Sequence, residues 1–316
     1  MNRNLALEFV RVTEAAAIAA ASWIGRGDKI AADQAAVDEM RERFNQIDFS
    51  GRVVIGEGTK DEAPELFEGE RVGKRQGLPA SRQGPVMDIA VDPLECTGNV
   101  AEGRYNAMSV IVTGAKGSLK AMPNHGVYMD KIAVGPAAKN AVDLEAPVAV
   151  NIKKVAKALG KSVKEVSIVV LLRPRHEKLI KEIRKLGARI MLIDRGDLAG
   201  GIATCLPDSS VDMLLGTGGS PEGVLSAAAI KILGGELFGR FCDKECNPIG
   251  KVYSADDLAK GNQLTFTATG VIDGPMLQGV RFLSQSITTH SVVMRATSGT
   301  IRYITTYHHV KPKKNS

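Results

Sequence analysis

Val86-Met87-Asp88-Ile89-Ala90-Val91-Asp92-Pro93-Leu94-Glu95-Cys96-Thr97 opens as an alternating, largely apolar run and ends in an acidic turn. The pattern through Val91 reads as a buried strand, and Pro93 is expected to stop it. Asp92 and Glu95 are then two carboxylates held three residues apart on a stiff turn at a strand's end, with the Thr97 hydroxyl two residues beyond. Hard divalent cations take oxygen ligands in such fixed arrangements and leave room for water and phosphate oxygens. Taken alone, the stretch also admits a strand-ending turn that carries two solvated acids, the less favoured reading.

The chain around this segment has 316 residues, which allows one large domain or two ordinary ones. A hydrophobic fraction of 44% leaves ample material for a core, and aromatics at 4% are scarce beside Ala, Val, Ile and Gly. That balance suits α/β layers with buried strands. No apolar run reaches the length of a membrane span, and Met1-Asn2-Arg3-Asn4 begins no signal-peptide core. The expectation is a cytoplasmic protein with no membrane partner. The net charge of +6 is dispersed, and Lys311-Pro312-Lys313-Lys314 is its only run. A small anionic ligand accounts for this excess as well as nucleic acid does, and no RNA motif or zinc-finger spacing supports the latter. Four cysteines are too few for a disulfide scaffold.

Working outward toward the N-terminus, periodicity predicts an amphipathic helix over 5–24, with Leu5, Phe9, Val12, Ala16 and Ala20 on one stripe. A second helix is expected over 31–45, facing inward through Val37, Met40 and Phe44. Asp33 falls in its first turn on the same side, either as a site carboxylate or as a partner of the helix dipole. A short strand at 53–55 precedes Gly56-Glu57-Gly58, where flanking glycines let the backbone bend and present Glu57 into a cleft. A plain loop acid is the alternative there. Residues 74–85 have loop composition, and strands are expected at 107–113 and 127–134.

Toward the C-terminus the pattern is αβ throughout. A strand at 167–172 leads through Arg173-Pro174-Arg175-His176 into a helix ending near 186, followed by a strand at 189–193 and a helix over 197–206. A strand at 211–215 meets Gly216-Thr217-Gly218-Gly219-Ser220-Pro221-Glu222-Gly223 and a helix through 233. Strands at 264–271, 291–296 and 300–306 close the chain. The domain boundary is expected at 160–164, giving an N-terminal metal-binding lobe over 1–163 and a C-terminal lobe over 164–316 that completes the substrate site.

Gly216–Gly223 reads as a strand-to-helix turn that cradles an anion, with Ser220 as cap and Pro221 as first helical residue. It fits neither the Walker lysine loop nor the dinucleotide fingerprint. Glu222 stands where a phosphate would otherwise dock, which makes sense if a cation lies between the two; first-turn dipole chemistry is the equal alternative. Arg173 and Arg175 flank Pro174 and are placed to grip a phosphate, while His176 reads as a helix-start residue, with a neutral hydrogen-bonder as the alternative. Arg195-Gly196-Asp197 lies at the next strand's end, on the side where α/β sheets bind ligands. Acids at strand ends beside basic turns point to metal-assisted hydrolysis of a phosphate ester. Thr97 is the candidate for orienting the attacking water, its hydroxyl accepting from that water while donating to a carboxylate.

Several motifs together resemble those of class II fructose-1,6-bisphosphatases, in order and over nearly the whole chain. They are Gly25-Arg26-Gly27-Asp28-Lys29-Ile30-Ala31-Ala32-Asp33, Val54-Ile55-Gly56-Glu57-Gly58, Asp92-Pro93-Leu94-Glu95, Arg173-Pro174-Arg175-His176, Gly218-Gly219-Ser220-Pro221-Glu222-Gly223 and Thr288-Thr289-His290-Ser291-Val292-Val293-Met294-Arg295. The resemblance implies the layered αβαβα fold of the lithium-sensitive, metal-dependent sugar phosphatases, with two α/β lobes. It implies Mg2+ or Mn2+ held by Asp33, Glu57, Asp92, Glu95 and Glu222, with Thr97, Glu57 and Asp92 as catalytic residues. Substrate contacts are implied at Glu95, Cys96, Thr97, Tyr128, Arg173, Pro174, Arg175, Arg195, Gly196, Asp197 and Gly219. The implied reaction releases the 1-phosphate of fructose 1,6-bisphosphate in gluconeogenesis, in a homo-oligomer (dimer or tetramer). The chain departs from the pattern at Cys96, where the family has glycine, and at Arg195, where it has aspartate. The stretch 241–250 is shorter than usual and 74–85 is longer. The alternatives are sedoheptulose 1,7-bisphosphate, an inositol phosphate or a nucleotide 3'-phosphate as substrate, and a paralogue that binds a sugar phosphate without turnover.

Overall fold

The computed structural model describes residues 5–56, 66–84, 86–124 and 126–309. Within them the chain forms two compact units, Met1–Thr113 with Thr265–Ser316, and Gly114–Leu264. The single cut expected at 163 therefore falls inside the second unit. The cause is hydrogen bonding: the strands after residue 264 return to the sheet begun by the first hundred residues.

In the first unit, β1 (Ser50–Ile55), β2 (Arg71–Val72), β3 (Val86–Glu95) and β4 (Ala107–Ala115) join β11 (Thr265–Ile272), β12 (Arg281–Phe282), β13 (Ser286–Arg295) and β14 (Thr300–His309). The order is β12-β13-β11-β4-β3-β1-β2, with β14 also paired to β13. β1 and β3 are parallel, and β11 runs antiparallel to both β4 and β13. Helices α1 (Leu5–Ala21) and α2 (Lys29–Gln46) bury their apolar stripes against this sheet. Phe9, Phe44 and Phe49 form its aromatic centre, with ring centroids 5.3–6.1 Å apart in edge-on and tilted contacts. Such pairs contribute about 0.5–1.5 kcal/mol each beyond their buried area. The polar groups that α1 turns inward are paired. Thr13 lies 2.7 Å from Thr269, which lies 2.8 Å from Ser291, and Thr289 donates to Glu14 at 3.1 Å. A short helix, α3 (Thr97–Glu102), follows β3.

The second unit carries β5 (Tyr128–Val134), β6 (Ser167–Leu171), β7 (Arg189–Ile193), β8 (Met213–Gly219), β9 (Glu236–Cys242) and β10 (Pro248–Ser254) in the order β10-β9-β5-β8-β6-β7. β6 is parallel to β7 and β8, whereas β5 is antiparallel to β8 and β9. Helices α4 (Val148–Ala158) and α5 (Glu177–Leu186) pack with Ile132, Val134, Ile168 and Val170. Met129 and Lys131, on the opposite face of β5, meet α7 (Ser220–Ile232) at Gly223. Helix α6 (Asp197–Ala203) packs against α7, and α8 (Ala255–Leu258) closes the unit. Both units are sheets layered with helices, as the α/β reading expects.

Candidate metal and phosphate site

β3 runs past Pro93 to Glu95 instead of stopping before it. Proline removes a ladder donor, but among the described residues the register with β1 ends at Ile55↔Ala90, short of residue 93. The chain then turns at Cys96, whose backbone is left-handed at φ 67° and ψ 42°, directly into α3. This turn brings a carboxylate oxygen of Asp92 and one of Glu95 within 4.8 Å of each other. Glu95 is buried, and the Cys96 thiol donates to its Oε1 at 3.7 Å. The Thr97 hydroxyl donates to the Leu94 carbonyl at 2.9 Å, not to a carboxylate, so its proton is committed and its lone pairs remain as acceptors.

Asp33 is half-buried on α2, and burial pushes its carboxyl above the ordinary range. It does not lie in the first turn. The helix begins at Lys29, and Asp28 caps it by accepting from the Ala31 N–H at 2.9 Å. The dipole partner of that helix is therefore Asp28, which leaves Asp33 without that role. Glu57 lies outside the described residues.

The glycine-rich segment also differs from expectation. β8 continues through Gly219, and α7 starts at Ser220, whose hydroxyl is buried and makes no cap. The glycines serve close approach. A Cβ on Gly218 would stand 2.0 Å from Asp197 Oδ2, and one on Gly219 would stand 1.9 Å from Glu222 Oε2. Lys131, 1% exposed, reaches the same spot from β5. Its Nζ is 2.5 Å from Asp197 Oδ2 and donates to the Gly219 carbonyl at 3.1 Å. Glu222 Oε2 is buried with no hydrogen-bond partner. Burial raises the Glu222 carboxyl most, the Asp197 charge raises it further, and Lys131 opposes both. Two carboxyl groups share one ammonium in this pocket. An orphaned, buried carboxylate oxygen beside a second carboxyl group fits a hard divalent cation.

The basic turns divide in their use. Arg175 donates twice to the Thr217 carbonyl, at 3.1 and 2.8 Å, and its guanidinium lies 4.8 Å from the centroid of the Tyr128 ring. Those bonds fix the plane and leave other N–H groups for a ligand. Arg173, before the turn that contains Pro174, donates to its neighbour's carbonyl at 2.9 Å. Tyr128 pairs with Gly219 across β5 and β8. Gly196, with φ 88°, caps α6 and sets Asp197 in its first turn, with Arg195 just before. His176 stands at the start of α5, as expected, and is a hydrogen-bonder as well. It is buried, its Nε2 accepts from the Thr217 N–H at 2.8 Å, and its Nδ1 lies 2.7 Å from the Leu171 carbonyl. Those partners require a neutral ring with the proton on Nδ1.

Residues 3–308 match the family model described as bacterial fructose-1,6-bisphosphatase, glpX-encoded. The chain belongs to that family. It is 43% identical over 336 aligned positions to fructose-1,6-bisphosphatase 1 class 2 of Escherichia coli strain K12, covering 99% of this chain and 97% of the relative. Identity and coverage are the same for fructose-1,6-bisphosphatase class 2 of Shigella flexneri.

In this bisphosphatase-family chain the residues read from the sequence fall into two local groups. Asp33, Asp92, Glu95, Cys96 and Thr97 belong to the first unit; Tyr128, Arg173, Arg175, Arg195, Asp197, Gly219 and Glu222 belong to the second. Lys131 escaped notice in the sequence because it belongs to no motif. Its signal was a lysine between Met129 and Ala133, the apolar residues that precede and follow it on the same face of the strand.

Proposed function

We infer that this chain is a phosphoric monoester hydrolase that removes the 1-phosphate of fructose 1,6-bisphosphate, giving fructose 6-phosphate and inorganic phosphate in gluconeogenesis. The observation that carries this is family membership across residues 3–308, with 43% identity to named class 2 enzymes. Asp33, Glu57, Asp92, Glu95 and Glu222 are assigned to hold Mg2+ or Mn2+. The orphaned oxygen of Glu222 and the closeness of Asp92 to Glu95 support the assignment. When bound, a divalent cation supplies positive charge to the phosphoryl group and lowers the pKa of a water.

The protein's own contribution is orientation and charge. With its hydrogen given to Leu94, Thr97 accepts from the attacking water and aims a lone pair of that water at phosphorus. The new P–O bond forms as the bond from phosphorus to the C1 oxygen breaks; the attacking water gives up a proton to solvent, and the departing oxygen takes one from it. Arg173 and Arg175 hold the distal phosphate, with Pro174 stiffening their turn. Tyr128, Arg195, Gly196, Asp197 and Gly219 line the sugar. Gripping the far phosphate turns binding energy into orientation at the near one. Sedoheptulose 1,7-bisphosphate, which Arg195 keeps in view, is the less favoured substrate.

A homo-oligomer, dimer or tetramer, completes the reading. Ile301, Tyr303 and Tyr307 stand 40–62% exposed along β14, and sedimentation velocity tests it. The function is tested by phosphate release from fructose 1,6-bisphosphate with Mg2+, with Mn2+ and with chelator. Metal-dependent release is expected, with Asp92→Asn lowering kcat on the order of 100-fold or more. Release that is unaffected by chelator overturns the assignment.

A further inference from the structure

We propose that Lys131 is a positioning residue for the sugar side of this site, which rests on the fructose-bisphosphate reading and its assignment of Asp197 to the sugar. Lys131 bridges two segments far apart in sequence, the start of α6 at Asp197 and the end of β8 at Gly219. A buried ion pair is a poor source of net stability, because desolvating both charges consumes most of their attraction, and a well-packed apolar side chain commonly serves as well. The environment of Lys131 would suit such a replacement, since Met129 and Ala133 are its inward-facing neighbours. The ammonium instead does two things that methionine could not.

It fixes the Asp197 carboxylate and the Gly219 carbonyl from a single atom, so the two groups that flank the ligand keep one spacing. It also offsets the Asp197 charge, so that carboxylate can accept from a sugar hydroxyl beside an anionic ligand instead of repelling its phosphates. The glycines at 218 and 219 leave no room for this arrangement to shift, because any side chain there would strike Asp197 or Glu222.

The test is a double-mutant cycle with Lys131→Met, Asp197→Asn and the pair combined. It is read as kcat and KM for fructose 1,6-bisphosphate, kcat/KM for p-nitrophenyl phosphate, and calorimetric Kd for fructose 6-phosphate. Lys131→Met is expected to raise the KM and the Kd about 10-fold or more, and to lower kcat/KM for fructose 1,6-bisphosphate more than for the sugar-free ester. The double variant is expected to lose no more than the worse single one, because both changes break the same contact. It leaves no unpaired charge at the contact, so it carries the measurement if Lys131→Met alone does not fold. Additive losses, equal losses on both substrates, or an unchanged KM and Kd would overturn the proposal. Failure of the underlying function looks different: the wild-type protein itself would then release no phosphate from fructose 1,6-bisphosphate.

Discussion

Cys96 holds a left-handed backbone at φ 67°, and its Cβ makes that conformation costly by roughly 1–2 kcal/mol compared with glycine. Cys96→Gly is therefore expected to raise the melting temperature by about 2–4 °C in scanning calorimetry. A fall would mean that the thiol's contact with Glu95 outweighs the strain. His176 offers a second single-residue test. Burial, helped by the Arg175 charge, holds its imidazole below the usual pKa, against the Leu171 carbonyl and the charges of Asp130 and Asp197. The folded value lies under the unfolded one, so the stability it contributes is complete above about pH 6.5 and is lost as pH falls through the folded value. His176→Gln keeps a donor and an acceptor and should flatten the decline in melting temperature between pH 7 and pH 5. An unchanged slope would assign that decline to other groups.

Among the elements, the β8–α7 junction is built at the expense of local stability. Glu222 is half-buried beside Asp197, with its Oε2 fully buried and unpaired. Glu222→Gln removes one of the two carboxyl groups, so in chelator at pH 8 its melting temperature should exceed that of wild type while phosphatase activity collapses. Losses in both would show that Glu222 is also structural. The Phe9, Phe44 and Phe49 cluster is the opposite kind of element, with all three side chains fully buried and no site residue among them. Phe44→Ala should cost about 3–5 kcal/mol of unfolding free energy. The difference between these elements explains what could be read in advance. The strand at 86–91, the acids after it and the helix facing Phe44 were legible because each rests on local periodicity or turn chemistry. The stop at Pro93 was misplaced because whether proline ends a strand depends on which neighbour needs its missing N–H. The Gly216–Gly223 turn was misread for a similar reason: Gly218 and Gly219 answer to Asp197, Lys131 and Glu222, whose approach is tertiary. Asp33's turn moved because Asp28 caps the helix one residue before its true start at Lys29.

At the scale of the whole chain, the second unit is an insertion into a pair of neighbouring strands. β4 and β11 are antiparallel partners, and Thr113 stands opposite Thr265 in register. The sequence leaves the first sheet at one residue and rejoins it at the residue beside, with Gly114–Leu264 between. No composition shift marks either point, which is why a single cut was expected. The first and last described residues both belong to the first unit, so mechanical load applied at α1 and β14 passes through that unit's sheet alone. Stretched in an optical trap, the protein should yield there first, and the inserted unit should then give way as a later, separate event. That second extension should lengthen the tether by roughly 500 Å, the reach of its unravelled chain at about 3.4 Å per residue.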